Sequence, residues 1–328
     1  MVRFLLRRLL ILPFALLVIN FIAFSYAHVA QRIQQTQNPF GSAVDTSVPL
    51  LSLYRTYISH LARGDWGTLP QVGSAAQTVQ EVVLPAAAVS LLLVAIAFTL
   101  SVVIGLLLGL AAVRAIPPTL KEWLPPLASV GLAAPSFFIG ALGITLVLAW
   151  SLHSGDQRLL LPLNGYGLDA HLLLPVLALS IRPAMQIAQT TASVLVDELG
   201  KQHVVTARSL GIPLRTIRTK HALRNALPTI ILSVAASLRL LIGELILVEW
   251  LFGWPGLGRL LSTTLLPPTI ASIGGVTSGA ARIFLHPELL AAILTLFGLI
   301  FLLIDFISSL AAFAIDPRLR GSLERGHE

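Results

Sequence analysis

The sequence predicts an all-α, polytopic transmembrane protein with six predicted helices crossing the bilayer. Three observations carry that expectation. Of 328 residues, 55% are hydrophobic and only 11% are charged, against about 25% charged in a soluble globular domain. The mean hydropathy is +0.85. Apolar runs near the ~20 residues that a bilayer requires recur along the chain, separated by segments rich in charge and turn formers. The absence of cysteine excludes disulfides and thiolate metal sites. A formal charge of +7 could suggest nucleic acid, but in a membrane protein basic loops mark the cytoplasmic side, and no nucleic-acid partner is expected.

The first apolar run, Leu9 to about Val29, follows Arg3, Arg7 and Arg8. It exceeds the roughly 7–15 apolar residues of a signal peptide, and no small-residue cleavage site follows it. Residues 1–30 therefore read as a first transmembrane helix. Residues 31–85 form a polar loop with turn formers at Asn38-Pro39, Gly41, Gly64-Asp65 and Gly67. Within it, Leu50–Leu61 has the makings of a short helix, and Trp66 sits either at the headgroup level or in a packed loop. Further spans run over Ala86–Val113, Leu127–Trp150, His171–Thr190, Thr229–Val248 and Leu289–Ala314, giving a core over 86–320 and a tail over 321–328. Gly105, Gly109, Gly140 and Gly143 are spaced so that helices can approach closely, which serves packing or the lining of a path.

Six spans place both termini on one side, and the cations choose which. One set of segments holds Arg3, Arg7, Arg8, Arg114, Lys121, the central cations Lys201, Arg208, Arg215, Arg218, Lys220 and Arg224, and Arg318, Arg320 and Arg325. The alternating set holds Arg32, Arg55, Arg63, Arg158, Arg259 and Arg282, fewer than half as many. The positive-inside rule puts the first set, both termini and the central stretch in the cytoplasm, and puts 31–85 and 249–288 outside.

The central stretch, Val196–Pro228, reads as helix, break, helix. Val196, Leu199, His203, Ala207 and Leu210 recur at helical spacing on one mostly apolar face. Gly211 permits a left-handed stop, and Pro213 suits the first position of a new helix. A short amphipathic pair of this kind offers a docking surface; the blander alternative is a solvated, arginine-rich loop.

No motif for group-transfer chemistry appears. The only Gly-Lys pair, Gly200-Lys201, has Leu195 where a phosphate-binding loop needs its leading Gly, and Gln202 follows it. The chain itself is expected to hold no catalytic residue, no cofactor and no metal. His28, His60, His153 and His171 lie near predicted membrane surfaces and read as interfacial. Arg182, Arg239, Glu244 and Asp305 fall inside predicted spans. A charge at the bilayer centre costs about 2.5–3.5 kcal/mol on insertion scales, so such groups face a bundle interior or a wet cavity and find partners. Arg182, Arg239 and Glu244 are read as facing an aqueous path, with structural ion pairs as the alternative. Arg239 and Glu244 are badly spaced to pair on one helix, so Arg182 or Asp305 from a neighbouring helix would complete a better network.

Thr206-Ala207-Arg208-Ser209-Leu210-Gly211, followed by His221-Ala222-Leu223-Arg224-Asn225-Ala226-Leu227, resembles the cytoplasmic EAA loop of permease subunits of bacterial ABC importers for dipeptides and oligopeptides. Val205-Thr206-Ala207 stands in place of Glu-Ala-Ala, and His221-Ala222-Leu223-Arg224 in place of the family's Ile-x-Leu-Pro, as is usual in the peptide branch. Glu249 to Leu261 (EWLFGWPGLGRLL) looks like the family's segment after the fifth span. Gly64-Asp65-Trp66-Gly67, Ala134-Pro135-Ser136-Phe137-Phe138 at the opening of the third span, and Asp316-Pro317-Arg318-Leu319-Arg320 also match.

The resemblance covers most of the chain and implies a type I ABC importer permease-like fold with a cytoplasmic coupling helix. It also implies a location in the bacterial inner membrane. On that reading Val205, Thr206, Ala207, Arg208, Leu210 and Gly211 couple the chain to separate ATPase subunits. Ala207, Leu210 and Gly211 would be the seat, and Arg208 the rim. Glu249, Trp254, Pro255, Gly256 and Arg259 would face an extracytoplasmic substrate-binding protein. The implied partners are a second homologous permease, two ATP-binding subunits that hold ATP and Mg, the binding protein and the lipid bilayer. Departures lie at the external mouth and path: no Pro-Gly-Asp-Pro follows the first span, Leu266–Arg282 is long, and Glu244 stands where a small residue is common. Nickel, glutathione or another small solute is the alternative within the class. An ion-gradient-driven secondary transporter using Arg182, Glu244 and Asp305 is the alternative outside it, followed by a purely structural membrane subunit.

Overall fold

A computed structural model describes residues 2–37, 48–69, 77–154, 160–267 and 283–315. The turn at Asn38-Pro39 and Gly41, Arg158, most of Leu266–Arg282 and the matches beyond Ile315 lie outside the described residues. Among the described residues, six helices are long and apolar enough to cross a membrane: Ile11–Gln34, Val79–Ala111, Ser136–Ser154, Ala170–Leu199, Leu214–Leu251 and Pro287–Leu310. The chain divides into two compact units.

The first unit comprises Met1–Leu92, Asn164–Tyr166 and Glu249–Leu303. It contains α1 (Val2–Gln37) and α2 (Leu50–Leu61), the latter with the bounds expected from sequence. Asn20 of α1, 2% exposed, ties three elements together. Its Nδ2 donates to Tyr57 Oη of α2 (3.3 Å) and to Thr295 Oγ1 of the last span (3.0 Å), and its Oδ1 accepts from Tyr54 (3.2 Å). A buried amide is tolerated because its bonds are made. Phe24 stacks on Tyr57 beside it, centroids 4.9 Å apart. After α2, Asp65 Oδ1 accepts from the Gly67 amide (3.0 Å) and Oδ2 meets His60 Nδ1 (3.1 Å), closing the turn in which Trp66 is half-buried.

The second unit comprises Leu93–Leu163, Gly167–Val248 and Ile304–Glu328. Most of α3 (Val79–Ala111) lies in it. Instead of continuing as helix through Val113, the chain turns into a two-stranded ribbon, β1 (Val113–Ala115) antiparallel to β2 (Pro118–Leu120). The all-α expectation is met apart from this ribbon. Pro117 and Pro118 lack the amides that a continuing helix would need.

The expected single span Leu127–Trp150 is corrected to two helices, α4 (Leu124–Ala133) and α5 (Ser136–Ser154). Pro135 is the cause. The residue before a proline is driven from the α region, and Ala134 is extended at φ −81°, ψ 117°. A 3-10 turn (Ala170–Leu172) leads into α6 (Leu173–Leu199), which continues well past the expected end at Thr190. α6 is the axis of this unit, with α4 and α5 packed along it.

The glycine spacing of α3 serves packing in this conformation. A Cβ on Gly105 would stand 2.7 Å from Ile187 Cβ and 2.8 Å from the Ala184 carbonyl, and one on Gly109 would stand 2.7 Å from Thr191 Cβ and 2.8 Å from the Ala188 carbonyl. The backbone oxygens cannot yield without moving α6. Gly105→Ala and Gly109→Ala are each expected to cost about 1–3 kcal/mol, read as earlier heat-induced loss of the monodisperse species in detergent.

After α6 come α7 (Gln202–Ser209), then α8 (Leu214–Thr216), a π-helical turn over Ile217–Ala222 and α9 (Leu223–Leu251). α10 (Leu257–Leu265) belongs to the first unit, and α11 (Pro287–Ile315) completes the six spans.

Candidate functional site

Three groups of residues singled out in the sequence occupy distinct places. The first surrounds α7. The helix breaks at Gly200–Lys201, where Lys201 is extended (ψ 152°), so Val196 and Leu199 end α6 and do not belong to the short helix. The expected face running from Val196 to Leu210 is therefore corrected: the break shifts the helical phase. Val204 and Ala207 turn inward and join a buried cluster with Ile217, Ala222 and Leu195. Ala207 is 9% exposed, while Val205 is 52% and Leu210 74% exposed. Thr206, Arg208 and Gly211 also face outward. The surface that α7 presents is thus Val205, Thr206, Arg208 and Leu210, with Ala207 as its anchor to the chain.

The ends of α7 are held firmly. Glu198, 7% exposed, pairs with Lys201 and accepts from Asn225 Nδ2 at 3.5 Å, which joins the end of α6 to the start of α9. Arg218 donates to the Leu110 carbonyl near the end of α3, where a cation suits the unpaired carbonyls of a helix C-terminus. Gly211 has φ +75° with nothing within 4 Å of a Cβ built there. The constraint at Gly211 is thus backbone conformation alone. Gly211→Ala is expected to cost about 1–2 kcal/mol through the left-handed φ, without a clash.

The second group is the charges inside the spans. They form two ion pairs, each joining different helices. Arg182 of α6 pairs with Glu244 of α9, and Arg239 of α9 pairs with Asp305 of α11 at 2.8 Å. Glu244 also accepts from the Ser136 amide at 3.1 Å, at the first residue of α5. That amide has no partner within its own helix, as first-turn amides do not. Charges within spans thus found partners across helices, although the spacing in sequence left open which cation would meet Glu244. Neither pair is fully buried: side-chain exposures are 34% and 16% for Arg182 and Glu244, and 36% for each of Arg239 and Asp305.

The third group follows α9. Here the expected outward-facing set is corrected. Glu249 and Trp254 are 0% exposed and Gly256 is buried; only Pro255 is exposed, and Arg259 is half-buried with its guanidinium on the Gly253 carbonyl. Glu249 is a structural acceptor. Oε1 receives Ser90 Oγ (2.5 Å), and Oε2 receives the amides of Gly258 (2.6 Å) and Arg259 (3.3 Å). Ser90 Oγ in turn accepts from the Leu257 amide at 2.7 Å. Carboxylate and hydroxyl together satisfy the open amides at the start of α10. Any side chain at Gly256 would overlap the Glu249 carboxyl, so the glycine is required by close approach.

Of the four histidines read as interfacial, His60 meets Asp65 and His171 Nδ1 meets Asp169 Oδ1 at 2.6 Å. Both partners lie in loops outside the long apolar helices.

Comparison with known proteins adds to this geometry. The profile of the family described as binding-protein-dependent transport system inner membrane component matches residues 101–321. The chain is 30% identical over 339 residues to the glutathione transport system permease protein GsiC of Salmonella paratyphi A, covering 98% of this chain and 99% of that protein. It is 29% identical over 276 residues to the dipeptide transport system permease protein DppB of Lactococcus lactis subsp. cremoris, covering 83% of this chain and 81% of that protein. Against the oligopeptide transport system permease protein AppB of Bacillus subtilis, identity is 26% over 244 residues, covering 74% and 77% respectively.

Proposed function

The chain belongs to the family of binding-protein-dependent transport system inner membrane components, and on that premise we propose that it is the multi-pass permease subunit of an importer that moves di- and oligopeptides. The observation that carries the coupling mechanism is α7: a short helix between two long apolar helices, fixed through Val204 and Ala207, with Val205 and Leu210 left outside. On this reading α7 seats in a groove of a separate ATP-binding subunit. Val205 and Leu210 are the apolar anchors, and Thr206 and Arg208 lie at the rim, because such interfaces draw their energy from a few buried contacts. Ala207 and Gly211 act from behind, one as anchor and one as stop. Closure of two ATP-binding subunits, which hold ATP and Mg, then moves α6 and α9 through the Glu198–Lys201 and Glu198–Asn225 contacts.

The path itself is assigned to the faces bearing Arg182–Glu244 and Arg239–Asp305, where half-exposed charge inside apolar helices calls for water or a second permease. Pro255 and Arg259 are the residues left to meet an extracytoplasmic binding protein. Both termini and α7 lie in the cytoplasm of a bacterial cell, by the distribution of Lys and Arg. Similarity over almost the full length to a glutathione permease supports a second reading of the solute as glutathione, itself a short peptide.

The test is uptake of labelled tri-alanine into proteoliposomes containing the chain with its co-purifying subunits and binding protein. Uptake is expected to require internal or external ATP on the α7 side and to survive collapse of proton and sodium gradients. Arg239→Gln is expected to lower it about tenfold at equal protein level. Uptake driven by an ion gradient without ATP would overturn the reading in favour of a secondary transporter.

A further inference from the structure

The junction of α5, α6 and α9 has the features of a carboxylate receptor. α5 begins inside the apolar part of the chain because Pro135 breaks the preceding helix, so its first amides lack partners within the helix and the positive end of its dipole lies at that point. The Ser136 amide already donates to a carboxylate, that of Glu244, at 3.1 Å. Arg182 donates to the same carboxylate. A second observation is independent of these. Ser136 is 1% exposed, and its Oγ has no hydrogen-bond partner among the described residues. An unpaired buried hydroxyl is disfavoured unless a further acceptor reaches it. Amide and guanidinium meet on one carboxylate, and the buried hydroxyl of the same Ser136 is a further donor that this carboxylate leaves unused.

We infer that Arg182 with the Ser136 amide and hydroxyl receives the C-terminal carboxylate of the transported peptide, and that Glu244 occupies this place until the solute arrives. The inference rests on the reading of the chain as a peptide permease. Glu244 sits on α9, whereas Ser136 and Arg182 sit on α5 and α6, so relative movement of α9 withdraws the internal carboxylate and leaves the donors free. A guanidinium and helix amides recognise a carboxylate through charge-assisted bonds and discriminate against the neutral amide of the same shape. Exchange of one carboxylate for another keeps Arg182 paired throughout, while the displaced Glu244, already 16% exposed, must turn to water, since neither charge is stable unpaired in the membrane.

The experiment compares ATP-driven uptake of tri-alanine with uptake of tri-alanine amide by the full transporter, at saturating binding protein. Wild type is set beside Ser136→Ala, Arg182→Gln and Glu244→Gln. The binding protein is common to all, so its own preference cancels when ratios are compared between variants. The acid-to-amide ratio is expected to fall roughly tenfold in Ser136→Ala and further in Arg182→Gln. In Glu244→Gln the ratio is expected to be kept, with a lower half-saturating concentration of loaded binding protein. Ser136→Ala is the decisive variant for fold integrity, since the lost oxygen makes no bond in the structure. A ratio unchanged in Ser136→Ala and Arg182→Gln, with uptake of both solutes intact, overturns the receptor while leaving the permease reading in place. Failure of wild type to take up either solute overturns the peptide reading itself, and the receptor with it.

Discussion

Val205→Glu combined with Leu210→Glu is expected to abolish ATP-driven uptake while leaving the chain folded and in the membrane. Both side chains project from α7 into solvent, at 52% and 74% exposure, and neither contributes to the cluster that holds α7 in place. Their replacement should therefore cost the chain little stability. At an interface, each apolar anchor is worth about 2 kcal/mol or more, so losing both weakens docking by roughly a thousandfold. The acidic replacements add a desolvation cost if the groove is apolar. The contrast is Ala207→Glu, which forces a carboxylate into the buried cluster and should lower the amount of folded protein. Uptake, ATP hydrolysis and monodispersity in detergent, measured on the same preparations, separate the two effects. Intact coupling in the double variant would remove α7 from the mechanism.

Glu249→Ala is expected to give the largest loss of stability of any single change considered. The substitution strips the acceptor from Ser90 Oγ on α3 and from the amides of Gly258 and Arg259 at the start of α10. Each buried donor stranded in this way costs about 1–3 kcal/mol, so the loss of the shared acceptor corresponds to a fall of roughly 10 °C in the apparent melting temperature of a protein of this size. Glu249→Gln keeps one carbonyl oxygen for the helix amides and should lose about half as much. Ser90→Ala removes both the donor to Glu249 and the acceptor of the Leu257 amide, and is expected to fall between the two. Thermal loss of the monodisperse peak in detergent distinguishes the three. An unchanged melting temperature in Glu249→Ala would contradict a structural role for that carboxylate.

The spans were legible because length and apolarity are local properties, and Gly211 was legible because its left-handed φ is a backbone requirement of its own, whereas Pro213 stands at the N-cap of α8, one residue before the first helical position expected for it. The two failures around α7 and α10 have a different origin. The break at Gly200 and Lys201 separates Val196 and Leu199 from the helix that carries Ala207, and Leu210 stands at the C-cap, beyond the last residue of α7, so a single helical periodicity drawn through all of them joined residues that do not share a face. Glu249 looked like an exposed carboxylate just beyond a span. Its burial depends on Ser90, far away in sequence, and on an α10 N-terminus that a periodic pattern does not reveal. Pro135 did carry a signal: it stood in the middle of the expected span Leu127–Trp150, and its effect on Ala134 was sufficient to predict two helices. Charges within spans were correctly read as needing partners from other helices, but only the fold selects Arg182 for Glu244 and Asp305 for Arg239.

On the proposed reading, α7 joins this chain to ATP-binding subunits. The most direct test of that docking is gentle detergent extraction of the tagged chain from its native membrane, with mass spectrometry of the proteins that accompany it, for wild type and for the Val205→Glu, Leu210→Glu double variant. Wild type should bring a second permease and two ATP-binding subunits, and the double variant should keep the second permease but lose the ATP-binding subunits. Recovery of the wild-type chain alone, or only with copies of itself, would remove α7 from any role in docking such subunits.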